Sequence, residues 1–448
     1  MNSLITIDGL RGTLDELPMT RGRVLVVVLA VLIAGLDGYD MLAMSFVAPV
    51  VSKAWSIDKA ILGLVLASSL FGMAGGALGL SPLADVLGRR PMVLGGLLLL
   101  TLGSLLSALS HTVWQLAASR ALTGLGIGVM VPLTTTIAAE FANARRRAFA
   151  VAATTVGASL GGVAGGLIAA LILKAFTWLW VFVFAAAAGA ALFVLTAFAL
   201  PESAVFLIDR RPANAVRRLN RVLSREGQPL VSDLPRQGVR VRGSYRALFA
   251  RGMAGVTIRL AIVYTLVVTA AYYLLSWLPQ LVADAGFPPS TASLVSATFS
   301  VVGAAAGLIF GALAARIGPT RLASSAMIGF GAALAVLGCV TPKLFLLMLA
   351  SAACGFFLSI SIAVFYASMS TSFPPLMRVS GIGLVMGVGR LFSSLGPYLA
   401  GIMFAAGFTR TGVSLAFAVA ASIGGVLLAS GRAAEPIDVQ SPAQVDGS

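Results

Sequence analysis

The chain has 448 residues, 58% of them hydrophobic and only 10% charged, and its mean hydropathy is +0.98. Soluble domains carry about a quarter charged residues, so this composition excludes an ordinary soluble domain and predicts an all-α polytopic membrane protein. The formal net charge of +15 would suit nucleic acid, but the basic residues cluster in the polar segments between apolar ones, so topology accounts for the charge and no nucleic-acid partner is expected.

About 20 apolar residues cross the hydrocarbon of a bilayer as a helix. Twelve segments qualify, at approximately 23–51, 61–84, 91–110, 113–140, 148–173, 177–200, 256–283, 290–315, 321–340, 344–371, 380–408 and 411–430. Residues 1–22 read as a tail. They lack the apolar core of a cleavable signal and carry Asp8, Asp15 and Glu16, so the first span is expected to stay in the mature protein. Lys and Arg collect in cytoplasmic loops. With the N-terminus inside, 23 of the 31 basic residues fall on the cytoplasmic side, eleven of them between Arg210 and Arg251. Both termini are then cytoplasmic, with attraction to anionic lipid a further consequence of the same charge.

The first span carries two acids, in Asp37-Gly38-Tyr39-Asp40. A carboxylate at bilayer depth costs several kcal/mol unless it is protonated, paired or hydrated, so it marks an ion, proton or substrate path. The plainer alternatives are a cap on a broken helix or a permanent pair with Arg120 or Arg390.

The polar stretch 201–255 divides the chain into six-span halves, 23–200 and 256–430, and reads as a cytoplasmic linker with some amphipathic helix; 431–448 is a second tail. An internal echo relates the halves, because Leu83-Ala84-Asp85-Val86-Leu87-Gly88 returns as Leu313-Ala314-Ala315-Arg316-Ile317-Gly318. Six plus six spans with matching loops imply pseudo-twofold halves rocking about a midplane site. Cys339 and Cys354 lie in apolar spans and His111 stands alone, so neither a disulfide framework nor a metal site is expected. Gly124-Leu125-Gly126-Ile127-Gly128 has no strand before it and no acid at nucleotide-binding distance after it, so it reads as helix packing. No Gly-x4-Gly-Lys occurs and no nucleophile, base and oxyanion set is present, which argues against ATP use and against an enzyme.

The run Gly79-Leu80-Ser81-Pro82-Leu83-Ala84-Asp85-Val86-Leu87-Gly88-Arg89-Arg90 resembles the signature loop of the major facilitator superfamily. The resemblance implies twelve helices in two pseudo-symmetric six-helix halves, and it makes this loop a conformational latch. Gly79 would permit close helix contact, Asp85 would meet a helix N-terminus or an arginine, and Gly88, Arg89 and Arg90 would complete the hold on the inner face. Arg120-Ala121-Leu122-Thr123-Gly124-Leu125-Gly126-Ile127-Gly128, with Pro132 and Glu140, resembles the superfamily's fourth-helix motif, whose arginine is linked with proton transfer.

Within the superfamily the aromatic acid:proton symporters are the best match, through Asp37-Gly38-Tyr39-Asp40, Tyr273-Leu274-Leu275-Ser276-Trp277-Leu278-Pro279, and Gly387-Val388-Gly389-Arg390 with Gly396-Pro397. A departure follows Pro132, where the family often has asparagine and this chain has Leu133-Thr134-Thr135-Thr136. The resemblance implies a monomeric importer of a small aromatic or ring-derived carboxylate, with the proton as coupling ion and no cofactor. Asp37, Asp40 and Arg120 would serve the proton. Arg390 would take the substrate carboxylate through paired hydrogen bonds, with Tyr39, Trp277 and Tyr366 as aromatic walls. The rivals are structural ion pairing for Arg390 and packing for the aromatics. Proton-driven efflux is the competing function; the proline that drug antiporters carry in the fifth span is replaced by Gly162. A non-transporting receptor on the same fold is a third.

Overall fold

The computed structural model describes residues 16, 18–211, 214–225, 231, 248–249, 253–373 and 377–430. Residues 1–15 and 17 of the tail expected over 1–22, the stretches 212–213, 226–230, 232–247 and 250–252 of the linker expected over 201–255, and all of the tail at 431–448 therefore lie outside the described residues.

Within them the chain is helical and without strands. The first half comprises α1 (Arg21–Ala54), α2 (Lys59–Leu87), α3 (Arg89–Ala108), α4 (Val113–Phe141), α5 (Arg147–Ala175) and α6 (Leu179–Ala199). Two short helices follow, α7 (Ala204–Arg210) and α8 (Ala215–Arg225). The second half comprises α9 (Ala254–Asp284), α10 (Pro289–Ile317), α11 (Pro319–Cys339), α12 (Leu344–Ser372), α13 (Arg378–Ser393), α14 (Gly396–Ala405) and α15 (Arg410–Ala429). Twelve stretches among the described residues are long and apolar enough to cross a membrane, α13 and α14 counting as one. That span was expected to be continuous over 380–408. It breaks at Ser394 and Leu395, because Pro397 has no N–H to give back to the preceding turn and instead opens α14.

Local signals set the other boundaries. The side chains of Thr20, Asp58, Thr112 and Thr409 each accept a hydrogen bond from a backbone N–H in the first turn of α1, α2, α4 and α15. Gly88, between α2 and α3, and Gly318, between α10 and α11, hold φ of 113° and 90°. Both occupy the last position of the repeated sequence, in a backbone region that favours glycine.

Lipid offers no hydrophobic drive between helices, so close approach through small residues carries much of the packing. A Cβ added at Gly124 or Gly128 of α4 would lie 2.0 or 2.2 Å from a carbonyl oxygen of α2. At Gly161 of α5 it would lie 1.8 Å from the Gly35 carbonyl oxygen of α1. The glycine-rich run of α4 is thus a helix seam.

The two halves meet tightly at the end carrying the α1–α2 and α9–α10 connections. There a Cβ at Gly63 would sit 2.7 Å from the Pro397 carbonyl oxygen and 2.9 Å from the Gly401 Cα. Lys59 Nζ pairs with Asp284 Oδ2 at 2.5 Å, and Ser52 Oγ donates to Gln280 Oε1 at 3.4 Å. At the opposite end, Gly79 is exposed and a Cβ on it would meet nothing within 4 Å. The close contact expected of Gly79 is absent in this conformation.

Candidate functional site

The two aspartates of α1 have opposite surroundings. Asp40 is fully buried and so is its partner Arg120 of α4, whose Nη2 lies 2.8 Å from Asp40 Oδ2. Arg120 Nη2 also donates to the Asp40 main-chain oxygen at 2.8 Å, and Nη1 to Oδ1 at 3.1 Å. Ser104 Oγ of α3 donates to Oδ1 at 3.1 Å. The guanidinium sits 5.3 Å over the Phe182 ring of α6. This network ties α1 to three neighbouring helices and satisfies both carboxylate oxygens.

Asp37 is 4% exposed, and neither of its oxygens has a hydrogen-bond partner among the described residues. It lies near the midpoint of α1, the depth at which an unpaired acid is most costly. The two acids stand three positions apart on α1 and differ in their partners: Asp40 meets Arg120 and Ser104, and Asp37 meets no hydrogen-bonding group among the described residues.

Arg390 lies in the other half, in the last turn of α13, and is half-buried. Its charge interacts with the phenols of Tyr264 and Tyr272 of α9 and Tyr366 of α12. The Tyr264 and Tyr366 hydroxyls are 3.4 Å apart. Among the described residues no carboxylate pairs with Arg390. A charged fork held by phenols, with its own charge unanswered, has donors to spare for an anion. Tyr366 was expected near this site from the sequence. Tyr264 was missed, although its ten-residue offset from Ala254 places it in the same inner region of α9.

Tyr39 and Trp277 are committed elsewhere. The Tyr39 hydroxyl donates to the Val181 carbonyl at 2.8 Å, and its ring packs 5.2 Å from Phe184. Trp277 is fully buried, donates its indole N–H to the Pro397 carbonyl at 2.9 Å and packs 4.8 Å from Phe404. Lys59 Nζ lies 6.0 Å from its ring. The substrate-wall role expected for these two has no exposed ring behind it in this conformation.

In the signature loop, Asp85 meets an arginine of its own half: Arg89 Nη1 reaches Asp85 Oδ1 at 2.7 Å and the Ala84 carbonyl at 2.8 Å. Arg89 Nε lies 3.6 Å from Glu140 Oε1 at the end of α4. Arg90 Nη2 donates to the Ala197 carbonyl of α6 at 2.6 Å. Sequence reasoning missed Glu202, which accepts from the Arg89 and Arg90 backbone N–H groups at 2.9 and 3.3 Å and so caps α3. A carboxylate in Pro201-Glu202-Ser203, directly after a span, was the available signal.

Comparison with known proteins places this arrangement. The family model of the Major Facilitator Superfamily matches residues 28–279 and 260–445. The chain belongs to the major facilitator superfamily. Superfamily membership makes it a multi-pass membrane transporter and not an enzyme. It is 30% identical to the 4-hydroxybenzoate transporter PcaK of Pseudomonas aeruginosa, over 89% of this chain and 90% of the relative. The gallate transporter of Pseudomonas putida is also 30% identical, over 94% of each chain, and so is the 3-(3-hydroxy-phenyl)propionate transporter of Escherichia coli, over 90% and 92%. Among solved structures, a D-xylose-proton symporter superposes with a TM-score of 0.71 at 17% identity, covering 90% of this chain and 97% of the other. That likeness extends to the fold alone.

Proposed function

We propose that this superfamily member imports a small aromatic carboxylate together with a proton by alternating access. The observation that carries the reading is the separation of two unanswered charges: Asp37 in one half and Arg390, with its three tyrosines, in the other. An unpaired carboxylate at this depth is relieved by taking up a proton. An aromatic acid bound at Arg390 would supply the anion that the guanidinium lacks and lay its ring among phenols. Relatives named for 4-hydroxybenzoate, gallate and 3-(3-hydroxy-phenyl)propionate support the aromatic class.

The Asp40–Arg120 pair then serves as the fixed frame beside the proton site, and Asp37 is assigned the proton. Loading of both sites would let the halves rock, opening the end sealed by Gly63 and Gly401 and closing the end at Gly79. There Asp85, Gly88, Arg89 and Arg90 act as the latch. The basic residues collect at the open end, so this end faces the cytoplasm of a bacterial cell and both termini lie inside. The transporter works as a monomer, with the proton as its coupling ion.

The test is uptake of labelled 4-hydroxybenzoate, gallate and 3-(3-hydroxyphenyl)propionate by cells producing the wild type, Asp37→Asn or Arg390→Ala, with and without a protonophore. Accumulation of at least one acid, lost in each variant and with the protonophore, supports the reading. Accumulation that survives the protonophore sinks proton symport, and exclusion of the acids from producing cells favours efflux.

A further inference from the structure

A cavity of about 420 Å³ opens where the start of α3, the end of α6 and helix α8 come together. Leu94, Phe198 and Leu207 give it an apolar side, and Arg90, Arg218 and Arg221 give it a basic one. Its depth follows from the helices. Arg90 and Leu94 lie in the first two turns of α3 and Phe198 in the last turn of α6, where these spans leave the hydrocarbon. Phe198 is 89% exposed, a bare ring on the outer wall of the first half, where acyl chains run.

The arginines are positioned by the fold. Arg218 and Arg221 stand three residues apart on α8 and so share one face, and both are exposed. Leu219 and Leu223, on the other face, are buried in a small core with Phe206, Leu207 and Ile208 of α7. The amphipathic helix is therefore anchored by its apolar face with its guanidinium groups turned to the cavity. Neither Arg218 nor Arg221 pairs with a carboxylate among the described residues.

Glu202 also lies on the wall and forms no ion pair with these arginines among the described residues. Its Oε1 already accepts from the backbone N–H groups of Arg89, Arg90 and Ser203, at 2.9, 3.3 and 3.1 Å. Arg90 spends one N–H on the Ala197 carbonyl and keeps its remaining donors.

We propose that this cavity binds an anionic phospholipid, the phosphate held by Arg90, Arg218 and Arg221 and the acyl chains lying over Leu94 and Phe198. A bound lipid would bridge α8 to α3 and hold the segment between the halves against the first half. A free phosphate ion shares the recognition chemistry of the headgroup but makes no use of the apolar side, and this favours the lipid.

The experiment uses the full-length protein, delipidated in detergent and titrated separately with phosphatidylglycerol, phosphatidylcholine and inorganic phosphate, with retained lipid counted by native mass spectrometry. Phosphatidylglycerol is expected to be retained in preference to phosphatidylcholine. Arg218→Gln with Arg221→Gln is expected to weaken retention about twentyfold, from roughly four- to fivefold for each interfacial arginine. Arg145→Gln with Arg146→Gln, a charge-matched change elsewhere on the surface, should leave retention unaltered.

Equal retention of both lipids, or an equal loss in the charge-matched control, overturns the proposal in favour of general attraction. Displacement of phosphatidylglycerol by inorganic phosphate at similar concentration overturns the lipid as the source. Hydrogen exchange across 215–225 of the wild type needs no variant: slowing with phosphatidylglycerol but not with phosphatidylcholine supports the site, and no change refutes it.

Discussion

At the scale of single residues, Asp37 and Asp40 separate into different jobs, and substitutions should separate them too. Removing one partner of a buried ion pair strands the other charge and costs about 3–5 kcal/mol. Asp40→Ala is therefore expected to lower the melting temperature and the yield of folded protein, because Arg120 is left fully buried without its counter-charge. Asp37→Asn removes an acid with no partner, so its melting temperature in detergent should match or exceed the wild type while proton-driven accumulation is lost. Equal destabilisation by the two changes would show that Asp37 has a structural partner. Arg390→Lys keeps the charge but loses the planar fork. Its apparent KM for the transported acid should rise about ten- to a hundredfold, the range set by about 1.5–3 kcal/mol for a hydrogen bond to a charged group. An unchanged KM would move the carboxylate site elsewhere. The sequence pointed to the pair of aspartates through their depth, but not to the difference between them. That difference rests on Arg120 and Ser104, 80 and 64 residues away.

At the scale of elements, the glycine crossings divide into permanent seams and a moving one. The α1–α5 contact at Gly35 and Gly161 lies inside the first half and has no second arrangement to relax into. Gly63 of α2 and Gly401 of α14 join different halves. Gly161→Leu is accordingly expected to unfold the protein. Gly401→Leu should leave each half intact, keep the melting temperature near that of the wild type and reduce uptake to background, because the sealed state can no longer form. Should Gly401→Leu unfold as completely as Gly161→Leu, the contact is a permanent seam. The spans themselves were legible because twenty apolar residues in a row leave few alternatives. The interruption at Ser394 was less so, since hydropathy runs unbroken through it and only Pro397 marks the stop. Gly79 makes no contact here for a related reason: a small residue shows where helices are able to touch, while the state of the whole transporter decides whether they do.

At the scale of the molecule, the halves approach each other through backbone at Gly63 and Gly401 while Gly79 is bare, which fixes where a probe should reach. Gly79 stands 16 residues along α2 from the sealed contact at Gly63 and so about 24 Å away at 1.5 Å per residue. In a background with Cys339→Ala and Cys354→Ala, a Gly79→Cys variant should react quickly with a membrane-impermeant maleimide added to the cytoplasmic face. A Ser52→Cys variant, next to Gln280 in the sealed end, should react slowly from the outside. Adding an aromatic acid and a proton gradient populates the state in which the ends exchange roles, so the first rate should fall and the second should rise together. Reciprocal change is what two rigid halves demand, because a ligand shifts the equilibrium only through its different affinity for the two arrangements. Rates that change at one end alone would mean that the halves do not move as units, and the frame built on Asp40 and Arg120 would then be too local to carry the mechanism.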